Sequence, residues 1–100
     1  MNFAEGALME ILLDLENICS ADEFYELLGE NMALPAYFGR NLDALHDVLG
    51  DITKETRIRI IHTDGVSVMM PKFFRGLRRL AADIHEENEH VCIVLEDDLS

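Results

Sequence analysis

Hydrophobic and polar positions change period several times along the chain. In LMEILLDL, residues 8–15, apolar residues fall at 9, 11, 13 and 15, with acids at 10 and 14. A period of two predicts a half-buried strand. SADEFYELLGENM, residues 20–32, moves to a helical period through Phe24, Leu27 and Leu28. Ser20 with Glu23 three residues on is a capping-box pattern at its start. Leu34-Pro35 ends that helix, because the residue before a proline is pushed out of the α region. Asn41 can cap a second helix, from 42 to about 54, with an apolar seam at Leu42, Leu45, Leu49 and Ile52. RIRIIH, residues 57–62, is short and β-branched and predicts a second strand; Asp64-Gly65 reads as a turn. Pro71 suits the first turn of a long helix that buries Phe73, Phe74, Leu77, Leu80, Ala81 and Ile84. VCIVL, residues 91–95, is a continuous apolar run, as a strand covered on both faces would be.

The predicted order is β-α-α-β-α-β, with helical crossovers and no hairpin signal between strands. Such crossovers favour parallel pairing. The expectation is a small α/β domain with a three-stranded, mainly parallel sheet packed with helices. It forms one domain over residues 1–100, in which 1–8 is a ragged extension and LEDDLS a frayed acidic end.

Charge narrows the function classes. With 8 basic against 20 acidic residues the net charge is −12. Direct nucleic-acid binding is disfavoured, since a phosphate backbone needs cationic contacts, and so is an anionic membrane surface. Lys72, Arg75, Arg78 and Arg79 are a weak exception, read as surface charge or as partners for the protein's own carboxylates. Cys19 and Cys92 lack metal spacing, acids interrupt the apolar part of the N-terminus, and no run could span a bilayer. These features predict a cytoplasmic protein with reduced thiols. No cofactor or metal is expected: His62, His85 and His90 with Cys92 show no paired ligand spacing. His46 and Asp47 are adjacent, but no Ser or Cys stands as a nucleophile beside them, so an enzyme is not expected.

The second helix carries a rule-breaking pattern. Asp43, Asp47, Asp51 and Glu55 recur every four residues. A step of four drifts by only about 40°, so the acids share a face opposite the apolar seam. Like charges four apart each cost a few tenths of a kcal/mol. Two readings stand side by side: a solvated face in an acidic protein, or a face meant to be covered by something positive.

The stretch LPAYFGRNLDALHDVL resembles the signature segment of the barstar family, intracellular inhibitors of barnase-type ribonucleases. The match runs through Leu34, Pro35, Tyr37, Gly39, Asn41, Leu42, Asp43, Ala44, Leu45, Asp47 and Leu49. The order and lengths of elements over roughly residues 9 to 96 are similar to that family, whose sheet is three-stranded and parallel. The resemblance implies that the second helix and its preceding loop enter a ribonuclease active site, where carboxylates take the place of RNA phosphates. Asp47 would be the central phosphate mimic and Asp43 the second anchor. Tyr37, Gly39, Asn41 and Leu42 would form the loop-side surface, and Asp83 a third contacting acid on the long helix. Three departures stand out. His46 occupies the usual tryptophan position, and Gly50-Asp51 replaces a polar-Gly ending. TDGVSVMMP is shorter than the family's segment there. The implied partner is a basic ribonuclease of the barnase type, bound by a monomer. The alternative is a protein-interaction module of the same fold without ribonuclease inhibition.

Overall fold

The structure, a computed structural model, describes residues 8–96. The expectations for residues 1–7 and 97–100 lie outside the described residues. Strands β1 (Met9–Asp14), β2 (Thr56–Ile61) and β3 (Val91–Leu95) form one sheet in the order β1-β2-β3. Both pairings are parallel. Helices α1 (Ala21–Asn31) and α2 (Leu42–Gly50) connect β1 to β2, while α3 (Asp64–Met69) and α4 (Pro71–Glu87) connect β2 to β3. The predicted α/β architecture and crossover order hold. One element is added: Asp64-Gly65 does not merely turn the chain but opens the short helix α3, which buries Val66 and leaves Val68 and Met69 exposed.

The sheet is covered by helices on one face only. Its inward rows follow the register, Ile11 beside Ile58 beside Ile93 and Leu13 beside Ile60 beside Leu95. Against them pack Phe24 and Leu28 of α1, Leu45 and Leu49 of α2, and Leu77, Leu80 and Ile84 of α4. Each such side chain contributes about 1.5–3 kcal/mol when fully buried. The opposite sheet face carries Leu12, Arg59 and Val94 in one row, all exposed. Arg57 there pairs with Glu10 at 3.2 Å and Arg59 with Glu96 at 2.9 Å. The expectation that β3 is covered on both faces is therefore corrected. Its continuous apolar run combines the inward Val91, Ile93 and Leu95 with an outward Cys92 that is partly exposed and Val94 that is exposed.

Helix α2 is also shorter than the apolar period suggests. It stops at Gly50, and Asp51 forms its C-cap. The reason lies forty residues away in the chain. Asn88, buried just after α4, donates its side-chain amide to the carbonyls of Leu49 and Ile52, both at 2.9 Å. A longer contact reaches Gly50 O at 3.4 Å. A side chain thus takes over carbonyls that a further turn of helix would have used. Ile52 still packs against the core, but from outside the helix.

Candidate partner-binding face

The loop before α2 is anchored by aromatic packing. Phe38 turns inward, its ring 5.8 Å from that of Tyr25, while Phe24 and Phe73 complete the cluster. Phe38 N–H donates to Pro35 O at 3.0 Å and closes a tight turn. With Phe38 pinned, its neighbour Tyr37 is thrown outward and is 89% exposed. It is the most exposed large hydrophobic side chain among the described residues. Arg40 then adopts a left-handed backbone, φ 55, which swings the chain into the helix. Gly39 permits this close approach: a Cβ there would lie 3.2 Å from Asn41 Nδ2. Asn41 caps α2 as predicted, its Oδ1 accepting from Ala44 N–H at 2.8 Å.

Leu45 and Leu49 fix which face of α2 is buried, so Asp43 and Asp47 face solvent. Among the described residues neither forms an ion pair. The predicted row of four acids is shortened. Asp51 stands at the C-cap, and Glu55 lies beyond the helix, 3.2 Å from His90 Nδ1. Termination by Asn88 is what removes Glu55 from the row.

A hollow lies on either side of this ridge. Toward the loop is an open groove of about 550 Å³ that includes Pro35, Tyr37, Phe38, Asp47, Val48 and Asp51. Toward α4 is a smaller crevice of about 220 Å³ holding Leu42, Asp43, His46, Arg79 and Asp83. Packing of α2 on α4 therefore brings Asp83 beside Asp43 despite their separation in sequence. The helices approach closely at Gly76, where a Cβ would lie 2.7 Å from Leu42 Cδ1. Of the eight residues singled out in the sequence, Tyr37, Gly39 and Asp47 line the groove, Leu42, Asp43, His46 and Asp83 line the crevice, and Asn41 caps α2.

Two participants were not foreseen. Glu87 accepts or shares a hydrogen bond with His46 Nε2 at 2.8 Å, tying α2 to the end of α4. That bond holds the imidazole pKa above its ordinary value against the opposing effect of burial, with the nearby charges of Glu87, Asp83 and Asp47 acting in the same direction as the bond. Arg79, read from sequence as surface charge, lines the crevice. Both follow the three-to-four-residue spacing from Asp83 along α4, which the composition of that helix hides. Elsewhere, Asp14, Glu16 and His62 bring potential ligand atoms within 4.8 Å of one another. That grouping differs from the His62, His85, His90 and Cys92 set weighed in sequence. Its Asp14 Oδ1 is already engaged by Glu16 N–H at 3.0 Å and His62 Nδ1 at 2.8 Å.

Among the described residues no helix is long and apolar enough to cross a membrane. No curated protein matches the chain. The family model described as Barstar (barnase inhibitor) matches residues 8–97, from the first strand to just past the last. A parallel three-stranded sheet, its helical crossovers and an almost end-to-end family match agree, and the chain belongs to the barstar family.

Proposed function

We propose that the protein inhibits a basic ribonuclease of the barnase type by lodging α2 and the 37–41 loop in the enzyme's active site. One observation carries this reading: Asp43 and Asp47 stand exposed, without an ion-pair partner among the described residues, on a helix locked in place by its other face. A ribonuclease cleft holds cationic groups to bind phosphate. Asp47 takes the phosphate position, Asp43 the neighbouring one, and Asp83 contributes from α4. Tyr37, Gly39, Asn41 and Leu42 supply the uncharged contact surface, and His46 sits at its margin.

Charge-assisted hydrogen bonds between desolvated carboxylates and Arg or Lys are the strong kind. The net charge of −12 also draws a basic partner in before contact. The test is direct: the protein is titrated into a barnase-type ribonuclease while RNA cleavage is followed. Stoichiometric inhibition is expected, with association slowing steeply as salt rises. Asp47→Ala leaves a partner cation desolvated and unpaired, which costs about 3–5 kcal/mol, or over a hundredfold in inhibition constant. Undiminished inhibition by Asp47→Ala refutes the mechanism. Absence of inhibition favours the interaction-module alternative, which the histidine at position 46 makes the next reading to test.

A further inference from the structure

The two edges of the sheet are finished differently. β1, at one edge, carries Glu10 and Asp14, and its inward Ile11 and Leu13 are sealed at 4% and 1% exposure. Charges on an edge strand discourage a further strand from adding. β3, at the other edge, is VCIVL, with no charge at all, and its inward Ile93 and Leu95 stay partly exposed. The phase of its hydrogen bonds is set by the ladder. Thr56 N–H donates to His90 O and Glu96 N–H to Ile60 O, both at 2.8 Å, so the even-numbered residues bond to β2. The N–H and C=O groups of Val91, Ile93 and Leu95 therefore point away from β2. Val91 N–H reaches Asn88 O at 3.2 Å; among the described residues none of the other groups has a backbone partner.

We infer that β3 pairs antiparallel with β3 of a second copy of this chain, about a two-fold axis at Ile93, and joins the two sheets into one. The axis follows from the phase. Outward-pointing residues must meet each other, so Ile93 meets Ile93 of the second copy and Val91 meets its Leu95. All five residues of the strand are then paired, and the partly exposed Ile93 and Leu95 gain apolar neighbours on the inner face. Charge favours a second copy over a foreign strand. α4 packs over β3 and, as the crossover to a parallel strand, runs opposite to it, so the two-fold axis sets the two α4 helices antiparallel. That helix is cationic from Lys72 to Arg79 and anionic from Asp83 to Glu87. The order opposes the helix dipole. In the two-fold arrangement it sets each cationic half beside the anionic half of the other copy. A dimer thus replaces the monomer that the family resemblance implies, and nothing in the pairing depends on ribonuclease inhibition.

The experiment is sedimentation equilibrium of the full chain under reducing conditions, from micromolar to near-millimolar concentration. A reversible dimer is expected. Leu95→Pro deletes an N–H that makes no bond to β2 and sets a ring against the approaching strand. It should raise the dimer dissociation constant at least about tenfold. Glu10→Gln, on the other edge, should leave that constant unchanged. Oxidation tests the register. Cys92 faces Val94 of the second copy, with Cα atoms about 4.5 Å apart, whereas the two Cys92 residues lie diagonally, about 7–8 Å apart. In a Cys19→Ser background, Val94→Cys should therefore give a disulfide-linked dimer on a non-reducing gel, and Cys19→Ser alone should not. A monomer at every concentration overturns the inference and leaves the edge to a foreign strand. A dimer that Leu95→Pro leaves intact, or cross-linking that does not need Val94→Cys, overturns it too. Should Leu95→Pro fail to fold, the cross-link decides, because Val94 is exposed and its replacement leaves the core untouched.

Discussion

Removing the Asn88 side chain is the sharpest test of how the ridge is built, because that residue touches no proposed partner. Its amide donates to Leu49 O and Ile52 O, each at 2.9 Å, and its Oδ1 accepts from His90 N–H at 2.9 Å. In Asn88→Ala, Leu49 O retains a weaker donor, Ile52 N–H at 3.3 Å. Ile52 O and His90 N–H lose theirs. One poorly solvated acceptor left empty costs about 1–3 kcal/mol, and each ordinary bond lost about 1 kcal/mol. The sum is a loss of about 2–4 kcal/mol, or a fall in Tm of about 10–25 °C for a domain of this size. Urea unfolding with an unchanged m-value measures it. Amide exchange should show the carboxyl end of α2 opening first. Asn88→Asp separates hydrogen bonding from shape. Its carboxylate would face carbonyl oxygens, so its folded-state pKa must rise. A group with a raised folded pKa binds protons more tightly when folded, so stability relative to Asn88→Ala should improve as pH falls. A loss below about 1 kcal/mol in Asn88→Ala, with unaltered exchange near residue 50, would refute the role of Asn88 as the clamp that ends α2.

Other consequences can be checked with the same material. Asn41→Ala removes the cap on Ala44 N–H and should cost about 1 kcal/mol of stability in urea unfolding. Gly76→Ala brings opposing effects: about 1 kcal/mol of helix propensity gained, against displacement of Leu42 Cδ1, which would lie 2.7 Å from the new Cβ. Net stability should therefore change by less than about 1 kcal/mol, while NMR signals of the Leu42 methyls move. The raised pKa of His46 means that its bond to Glu87 stabilises most below 6.5 and that this contribution fades as pH rises through the raised value. The difference in Tm between the parent and His46→Gln should narrow over that interval; a constant difference would show that protonation of His46 is not involved.

The elements legible in the sequence are those whose cause is local. Ser20 and Asn41 announce helix starts because a cap acts within three residues, and both caps form. Even the capping box departs slightly, since Glu23 Oε1 accepts from Cys19 N–H at 2.7 Å rather than from Ser20. Alternation at Ile11, Leu13 and Leu15 marks the buried face of β1 because successive strand side chains must point oppositely. What was hidden depends on distant partners. The end of α2 depends on Asn88, the environment of His46 on Glu87, and the open face of β3 on the side of the sheet that the helices occupy. The short helix α3 was concealed because Asp64-Gly65 is equally good turn chemistry, and only burial of Val66 favours the helix. Residues 37–47 could be read as a candidate site because one continuous segment carries them. Asp83 needed the family resemblance, and Arg79 had no local signal.

The ridge owes its field to where the cations go as much as to the excess of acids. Of the 8 basic residues, Arg57 and Arg59 are engaged with Glu10 and Glu96 on the far side of the sheet. Arg40 reaches the Asp22 carbonyl at 3.5 Å. On α4, Arg78 lies over the Phe74 ring at 6.0 Å, while Arg79 lines the crevice with Asp43 and Asp83 but forms no ion pair among the described residues. Folding therefore engages part of the cationic set away from α2 and leaves Asp43 and Asp47 without an ion pair among the described residues, which a sum over the sequence cannot express. The Debye length at physiological salt is about 8 Å, so a partner feels this local arrangement more than the total. Asp43→Asn and Glu10→Gln alter net charge equally, yet only the first lies on the ridge. Stopped-flow association with the ribonuclease should slow several-fold for Asp43→Asn and hardly at all for Glu10→Gln, and the gap should shrink as salt rises. Equal slowing by the two variants would mean that total charge alone draws the partner in and that the arrangement of acids along α2 contributes nothing to encounter.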